Sequence, residues 1–455
     1  MERKENKMGV MPVTKLVITM SLPIMASMLI QALYNVVDSI FVSRISEEAL
    51  TAVSLSFPIQ NLMIGLASGT AVGVNALLSK SLGEKEYERA NKIAANGVVL
   101  SIVGFLIFFV IGLTNTQWFF KSQTNVSDIV SGGATYLNIC CLLSFGIFGQ
   151  LMFERLMQST GKTIFTMFTQ GTGAIINIIF DPLLIFGIGP FPKLGIAGAA
   201  YATVFGQIVA CGMAIFFNHK FNKEIKVSFK KFRPDFAIMG RICYIGVPSV
   251  IMVATGSVMN YLMNKILISF TETAAAVFGV YFKLQSFVFM PIFGLNNGII
   301  PIIAYNYGAR NRLRMMKTVK VAVAFAVSLM AIGLALMQTI PHEMLKLFNA
   351  SEHMMTIGIP ALRIISLCFV FAGVCIAIGS VFQALGKSVF SMIVSISRQI
   401  IVLVPVAYLF SLTGDVTNVW YAFPIAEIMS VAVSVAGFAY IYRKIIKPLP
   451  DGAPV

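Results

Sequence analysis

The sequence predicts an all-α polytopic membrane protein. Three observations lead there: 57% of the 455 residues are hydrophobic and only 12% charged, mean hydropathy is +0.83, and apolar runs of bilayer-spanning length recur from Leu16 to Tyr442. A helix needs about 20 mostly apolar residues to cross the hydrocarbon core, so little chain remains for a soluble domain. The first run follows a basic start but is too long for a signal-peptide core and lacks a small-residue cleavage site. It should stay as a membrane helix.

Polar and Gly/Pro punctuation cuts the chain into twelve apolar segments: 16–43, 49–79, 93–113, 129–152, 164–187, 197–217, 242–270, 274–305, 318–338, 354–380, 389–412 and 416–441. An even number puts both termini on one side. The amino-terminal side carries 26 Lys and Arg, whereas the opposite side carries four, Arg44, Lys121, Lys193 and Lys346. Basic loops stay in the cytoplasm, so both termini and the loop at 218–241 are expected there, in a multi-pass protein of the cell membrane. The net charge of +15 is spread over short loops rather than one face. It therefore reads as an orientation signal in contact with anionic lipid, not as a nucleic-acid surface.

Shifting the chain by 225 residues superimposes its halves without a gap. Pro23 falls on Pro248, Asn35 on Asn260, Gly69, Gly73 and Gly83 on Gly294, Gly298 and Gly308, and Gln158-Ser-Thr-Gly-Lys162 on Gln383-Ala-Leu-Gly-Lys387. Each copy has an even number of spans, so the repeats run parallel, an arrangement common in secondary transporters that expose a site alternately to each side. The expected organisation is an amino-terminal six-helix lobe at 1–220, a cytoplasmic linker at 221–238, a carboxy-terminal six-helix lobe at 239–445 and a tail at 446–455. The glycines of Gly65-x-x-x-Gly69-x-x-x-Gly73 and Gly294-x-x-x-Gly298 read as sites of close helix approach. Prolines within the segments remove ladder hydrogen bonds and so allow kinks there.

Catalytic chemistry finds little support. All six cysteines lie in apolar runs and the three histidines in predicted loops, so neither a metal centre nor a haem has enough ligands. No nucleophile–base arrangement stands out. The chain is expected not to be an enzyme and to need no cofactor.

The segments Tyr34-Asn-Val-Val-Asp38, Asn177-Ile-Ile-Phe-Asp181-Pro, Gly195-Ile-Ala-Gly-Ala-Ala-Tyr-Ala-Thr203, Pro301-Ile-Ile-Ala-Tyr-Asn306 and Gln383-Ala-Leu-Gly-Lys387 resemble the multidrug and toxic compound extrusion family. The likeness runs from about Thr14 to Arg443. It implies a V-shaped pair of six-helix lobes that exports organic cations or other drugs in exchange for protons or sodium. The chain is most similar to the prokaryotic branch with Asp on the first and fifth helices, here Asp38 and Asp181, with Asn177 and Thr203 as neighbours. It departs from the branch with acids on the seventh and tenth helices, where Lys265 and Arg363 stand instead.

Depth supports a pairing of the two acids. Asp38 lies six residues before Arg44 and Asp181 six before Gly187, which puts each roughly 9 Å from its helix end. Asn35 and Asn177, three and four residues earlier, share a face with their acids. The duplicated positions are Met263 and Val406, so the expected ion-coupling site, Asp38, Asp181, Asn177, Asn35 and Thr203, belongs to one lobe. Charges inside a bilayer are costly unless paired or hydrated: Arg398 and Glu427 lie at comparable depth and suggest a structural ion pair that can also shape the cavity, Lys265 can snorkel, Lys283 and Arg363, without an evident partner, are candidate cavity or structural charges, and Glu154 is unassigned. The reading is an antiporter for lipophilic or cationic small molecules, acting as a monomer. The alternative is a flippase for a lipid-linked precursor, which would favour a cavity rich in Lys and Arg.

Overall fold

The structure is a computed structural model and describes residues 5–228, 232–348 and 350–452. Among the described residues ten helices are long and apolar enough to cross a membrane, and two bent pairs bring the total to 12 if each pair is one span. In order they are α1 (Val13–Ser43), α2 (Glu47–Gly83), α3 (Tyr87–Thr114), the bent α4 (Ser127–Leu142 and Phe145–Ser159), α5 (Ile164–Phe186), α6 (Ile196–Phe221), α7 (Phe236–Ile268), α8 (Glu272–Gly308), α9 (Arg312–Thr339), the bent α10 (Glu352–Ser366 and Phe369–Ala384), α11 (Ser388–Ser411) and α12 (Val416–Ile446). Each covers one expected apolar segment. The chain is thus an all-α protein with twelve spans.

Sequence chemistry sets where these helices stop. After α4, Gly161 takes φ +83° and Lys162 N–H closes on Met157 O at 2.8 Å; after α10, Gly386 takes φ +69° and Lys387 N–H closes on Phe382 O at 2.7 Å. That closure needs a left-handed residue, which glycine supplies without a Cβ clash. The repeated Gln-x-x-Gly-Lys is therefore a helix stop in both halves.

Two breaks in the helices fall away from prolines. Bends of 44° and 45° break α4 and α10 at Leu143–Ser144 and Leu367–Cys368, places one residue out of register in the repeat and with no proline. There Ser144 N–H bonds Cys141 O, and Cys368 N–H bonds Ile365 O, so a tighter three-residue turn replaces the α-helical one. Pro405 does coincide with an irregularity: α11 widens into a π-turn over Ser397–Leu403, which relieves the crowding that the proline ring imposes on the preceding turn.

Packing divides the chain into two compact units. The amino-terminal unit is Ala26–Val250, and the carboxy-terminal unit is Met1–Met25 with Ile251–Val455. This division differs from lobes cut in chain order, because α1 and α7 each change unit just past the equivalent prolines Pro23 and Pro248. The glycine stripes explain the exchange. In the amino-terminal unit a Cβ on Gly69 would lie 2.8 Å from Gly246 O and one on Gly73 2.4 Å from Ile242 O, so α2 lies backbone to backbone with the start of α7. In the carboxy-terminal unit a Cβ on Gly294 would lie 2.6 Å from Met25 Cα and one on Gly298 2.8 Å from Ser21 Cα, so α8 receives the start of α1 in the same way. Residues 229–231 of the expected linker lie outside the described residues.

Candidate functional site

Within the amino-terminal unit, α1 and α5 bring two acids together. Asp181 is 0% exposed and Asp38 is half-buried, and their carboxyl groups reach hydrogen-bonding range of each other. An ionised carboxyl only accepts. The contact becomes a hydrogen bond when one partner carries a proton, and buried Asp38 Oδ1 has no donor. Among the described residues no Lys, Arg or His forms an ion pair with either acid.

Asn177 ties this pair to α6. Its amide orientation follows from the fixed donor opposite it: Thr203 N–H can only donate, so the amide oxygen faces Thr203, accepting from N at 3.3 Å and Oγ1 at 3.2 Å, while the amide nitrogen donates to Asp181 Oδ2 at 3.2 Å. The small residues of α6 permit this approach. A Cβ on Gly206 would lie 2.6 Å from Gly173 O, and one on Gly198 would lie 2.5 Å from Leu184 O. Any larger side chain would push Thr203 away from Asn177.

Further polar groups complete the cluster. Gln60 Nε2 on α2 donates to Tyr136 Oη at 3.3 Å and reaches Cys140 Sγ at 3.6 Å, both on α4, and both of those groups feel the charge of Asp38. Tyr34, one turn before Asp38, hydrogen-bonds Gln31. Sequence reasoning gave Gln60, Tyr136 and Gln31 no role. An isolated Gln inside an apolar run and the Tyr136-x-x-x-Cys140 spacing were the available signals. Asn35 is exposed; its carbonyl accepts from Ser39 Oγ at 2.9 Å, and no hydrogen bond joins its amide to the cluster among the described residues.

The carboxy-terminal unit holds a different arrangement. Arg398 Nη1 on α11 donates to Glu427 Oε2 on α12 at 3.2 Å, with side chains 29% and 5% exposed, and Tyr281, Cys368 and Cys375 lie within its field. Opposite charges there satisfy one another. Lys265, Lys283 and Arg363 are exposed. The two charges left without an evident partner on α8 and α10 thus stay outside the buried clusters. No group of three or more His, Cys, Asp or Glu residues among those described could hold a metal ion.

The MatE family model matches residues 23–183 and again residues 248–409. The chain belongs to the MatE family. The matched stretches begin 225 residues apart, so each half of the MatE chain carries its own copy of the family pattern. MatE proteins are membrane transporters, not enzymes. The multidrug export protein MepA of Staphylococcus haemolyticus (strain JCSC1435) is 26% identical over 408 residues, covering 90% of this chain and 89% of its own length. MepA of Staphylococcus aureus (strain MRSA252) is 24% identical over 417 residues, covering 91% of each chain. Among solved structures, an outward-facing multidrug resistance MATE transporter of the MOP superfamily superimposes with TM-score 0.92 at 24% identity, covering 98% of this chain and 99% of that one. A MOP superfamily transporter from Pyrococcus furiosus, described as having a binding pocket of reversed polarity, gives TM-score 0.91 at 24% identity over 97% and 99%. These likenesses establish the fold over nearly the whole chain.

Proposed function

We propose that this MatE protein is an antiporter that exports lipophilic or cationic drug-like molecules from the cytoplasm in exchange for protons or sodium. Asp38 and Asp181 are its ion-coupling site. The observation that carries this reading is the close pair of carboxyl groups without a basic partner. Two buried like charges repel strongly in a medium of low dielectric, so the pair asks for a proton or a cation. With sodium, Asp38, Asp181, Asn177 and Thr203 offer the oxygen ligands that such a hard cation prefers. The export function of the MepA relatives and the 25 methionines and 37 phenylalanines support lipophilic cargo, since polarizable thioethers and aromatic faces adapt to varied organic cations. A flippase for anionic lipid precursors needs free cations; Arg398 is spent on Glu427, which leaves Lys265, Lys283 and Arg363 to serve that alternative.

Purified protein in liposomes, given proton and sodium gradients separately, should accumulate or expel a lipophilic cationic dye with one of them. Equal dye movement with and without both gradients sinks the antiport reading. The 26-to-4 distribution of Lys and Arg supports cytoplasmic termini and a cytoplasmic linker. A cysteine placed at exposed Lys223 should then resist an impermeant thiol reagent added outside sealed cells. Rapid labelling there would reverse the orientation.

A further inference from the structure

A second buried acid lies in the same unit, away from the Asp pair. Glu154 on α4 is 2% exposed and accepts from three neutral donors: Gln150 Nε2 at 3.0 Å, Thr169 Oγ1 at 2.7 Å and Gln170 Nε2 at 2.8 Å. Its neighbour Arg155 forms no ion pair with it among the described residues and donates to Gln158 Oε1 at 2.8 Å. No ion pair reaches Glu154 among the described residues. A carboxyl sealed from water without a paired cation has only its hydrogen bonds to offset the loss of hydration.

Those hydrogen bonds can serve two charge states. Thr169 Oγ1 lies 2.7 Å from Glu154 Oε1 and 2.9 Å from Thr166 O, yet a hydroxyl has one hydrogen and can donate to only one acceptor at a time. With Glu154 ionised, that hydrogen points at the carboxylate. With Glu154 protonated, it turns to Thr166 O, and Thr169 Oγ1 accepts the new O–H. Gln170 adds the same reversibility, because its buried Oε1 lacks a donor and a rotated amide would present that oxygen to the protonated acid. Neither state leaves the Glu154 carboxyl without partners.

We propose that Glu154 is a proton-binding site of the amino-terminal unit, a second station on the route of the coupling ion. Its place on the route rests on the antiport reading above. Gln170, Asn177 and Asp181 stand seven and four residues apart on α5, one face of the helix, and 11 residues put Glu154's partner roughly 16 Å from Asp181 along the axis. In the proposed orientation this is the cytoplasmic side of the Asp pair. Glu154 takes the proton that the Asp pair gives up, handed on by water so that those carboxyls return to carboxylate as Glu154 becomes the neutral acid, then releases it to water on the cytoplasmic side and returns to the carboxylate. The titratable or charged groups that face it are Arg155 on its own helix and Cys211 on α6. Elsewhere on α4, Asn75 and Ser79 of α2 bond about Ser159, and Ser101 Oγ of α3 bonds Phe148 O, all neutral contacts.

Infrared difference spectra of the full chain in lipid, recorded as pH is stepped, test this without relying on transport. The expected result is a protonated-carboxyl band that titrates in the unaltered protein and in Asp181→Asn and is missing from Glu154→Gln. Labelling glutamate carboxyls with heavy carbon should shift this band in the unaltered protein, so the assignment survives even if the variant folds poorly. Thr169→Val should retain the band and move its midpoint. The same titrating bands in Glu154→Gln, or no glutamate band that titrates, would overturn the proposal. In liposomes, Glu154→Gln should lower proton-driven export about tenfold while leaving dye binding near normal. If the unaltered protein shows the band but no ion-driven export, the antiport reading fails and the proton site stands.

Discussion

The two units build one helix scaffold and charge it in opposite ways. In the amino-terminal unit two acids of like sign, Asp38 and Asp181, meet without a basic partner. In the carboxy-terminal unit Arg398 meets Glu427 at 3.2 Å. The duplicated positions of the Asp pair are Met263 and Val406, and those of Arg398 and Glu427 are Gly173 and Ala202. Neither cluster thus has a counterpart at the duplicated positions of the other half. A pair of opposite charges is complete in itself, whereas a pair of like charges is completed only by something from outside. On this logic the proposed ion coupling belongs to the amino-terminal unit, and we propose that the ion pair of the other unit is structural.

The largest effect should come from removing charge at the acid pair. Asp38→Asn and Asp181→Asn each keep the shape of the side chain, and each should cut ion-driven export about a hundredfold or more in liposomes while leaving dye binding nearly intact. Met263→Leu, at the duplicated position of Asp38, is the matched control. It exchanges one buried apolar side chain for another of similar volume and should cost less than about 1.5 kcal/mol of stability, with export near the unaltered rate. Wild-type export from both Asn variants would remove the acid pair from the mechanism. A loss in Met263→Leu as deep as in Asp38→Asn would show that the second repeat shares in coupling, and the comparison would collapse.

What could be read from the sequence follows from physics with a short reach along the chain. Apolar run length marked all twelve spans, and a constant offset marked the duplication, because both are properties of neighbouring residues. The equal depth of Asp38 and Asp181 was also legible, since rise along a helix converts sequence distance into height. The bends at Leu143–Ser144 and Leu367–Cys368 were not, because they arise from a change of hydrogen-bond partner that any residue type permits. The exchange of helix starts between units was hidden as well: glycine stripes announce that something approaches closely, not which helix it is. Glu154 shows the same limit. Two of its partners, Thr169 and Gln170, come from α5, so the sequence around Glu154 cannot say whether the acid is satisfied. Gln60 and Tyr136 meet only once α2 and α4 have packed.

The ion pair of the carboxy-terminal unit allows the comparison to be sharpened with smaller effects on stability rather than on coupling. Glu427 is 4% exposed and its Oε1 has no hydrogen-bond partner, so Arg398→Gln would strand an uncompensated buried carboxylate. Removing one member of such a pair costs about 3–5 kcal/mol, and the 29% exposure of Arg398 puts the expected loss near about 3 kcal/mol. Glu427→Gln should cost less, because the stranded guanidinium keeps contact with its surroundings through that exposed part and can redirect its remaining donors. Replacing both residues, Arg398→Met with Glu427→Leu, removes the charges together and should restore most of the stability, as apolar replacement of a whole buried pair commonly does. Thermal unfolding of the purified variants in one detergent measures all three. The double variant then decides the question of role, because it separates loss of charge from loss of fold. If it is stable and still exports dye with the ion gradient, the pair holds α11 to α12 and does no more. If it is stable yet no longer responds to the gradient, the second unit also takes part in coupling, and the contrast between like and opposite charge ceases to divide the molecule's work.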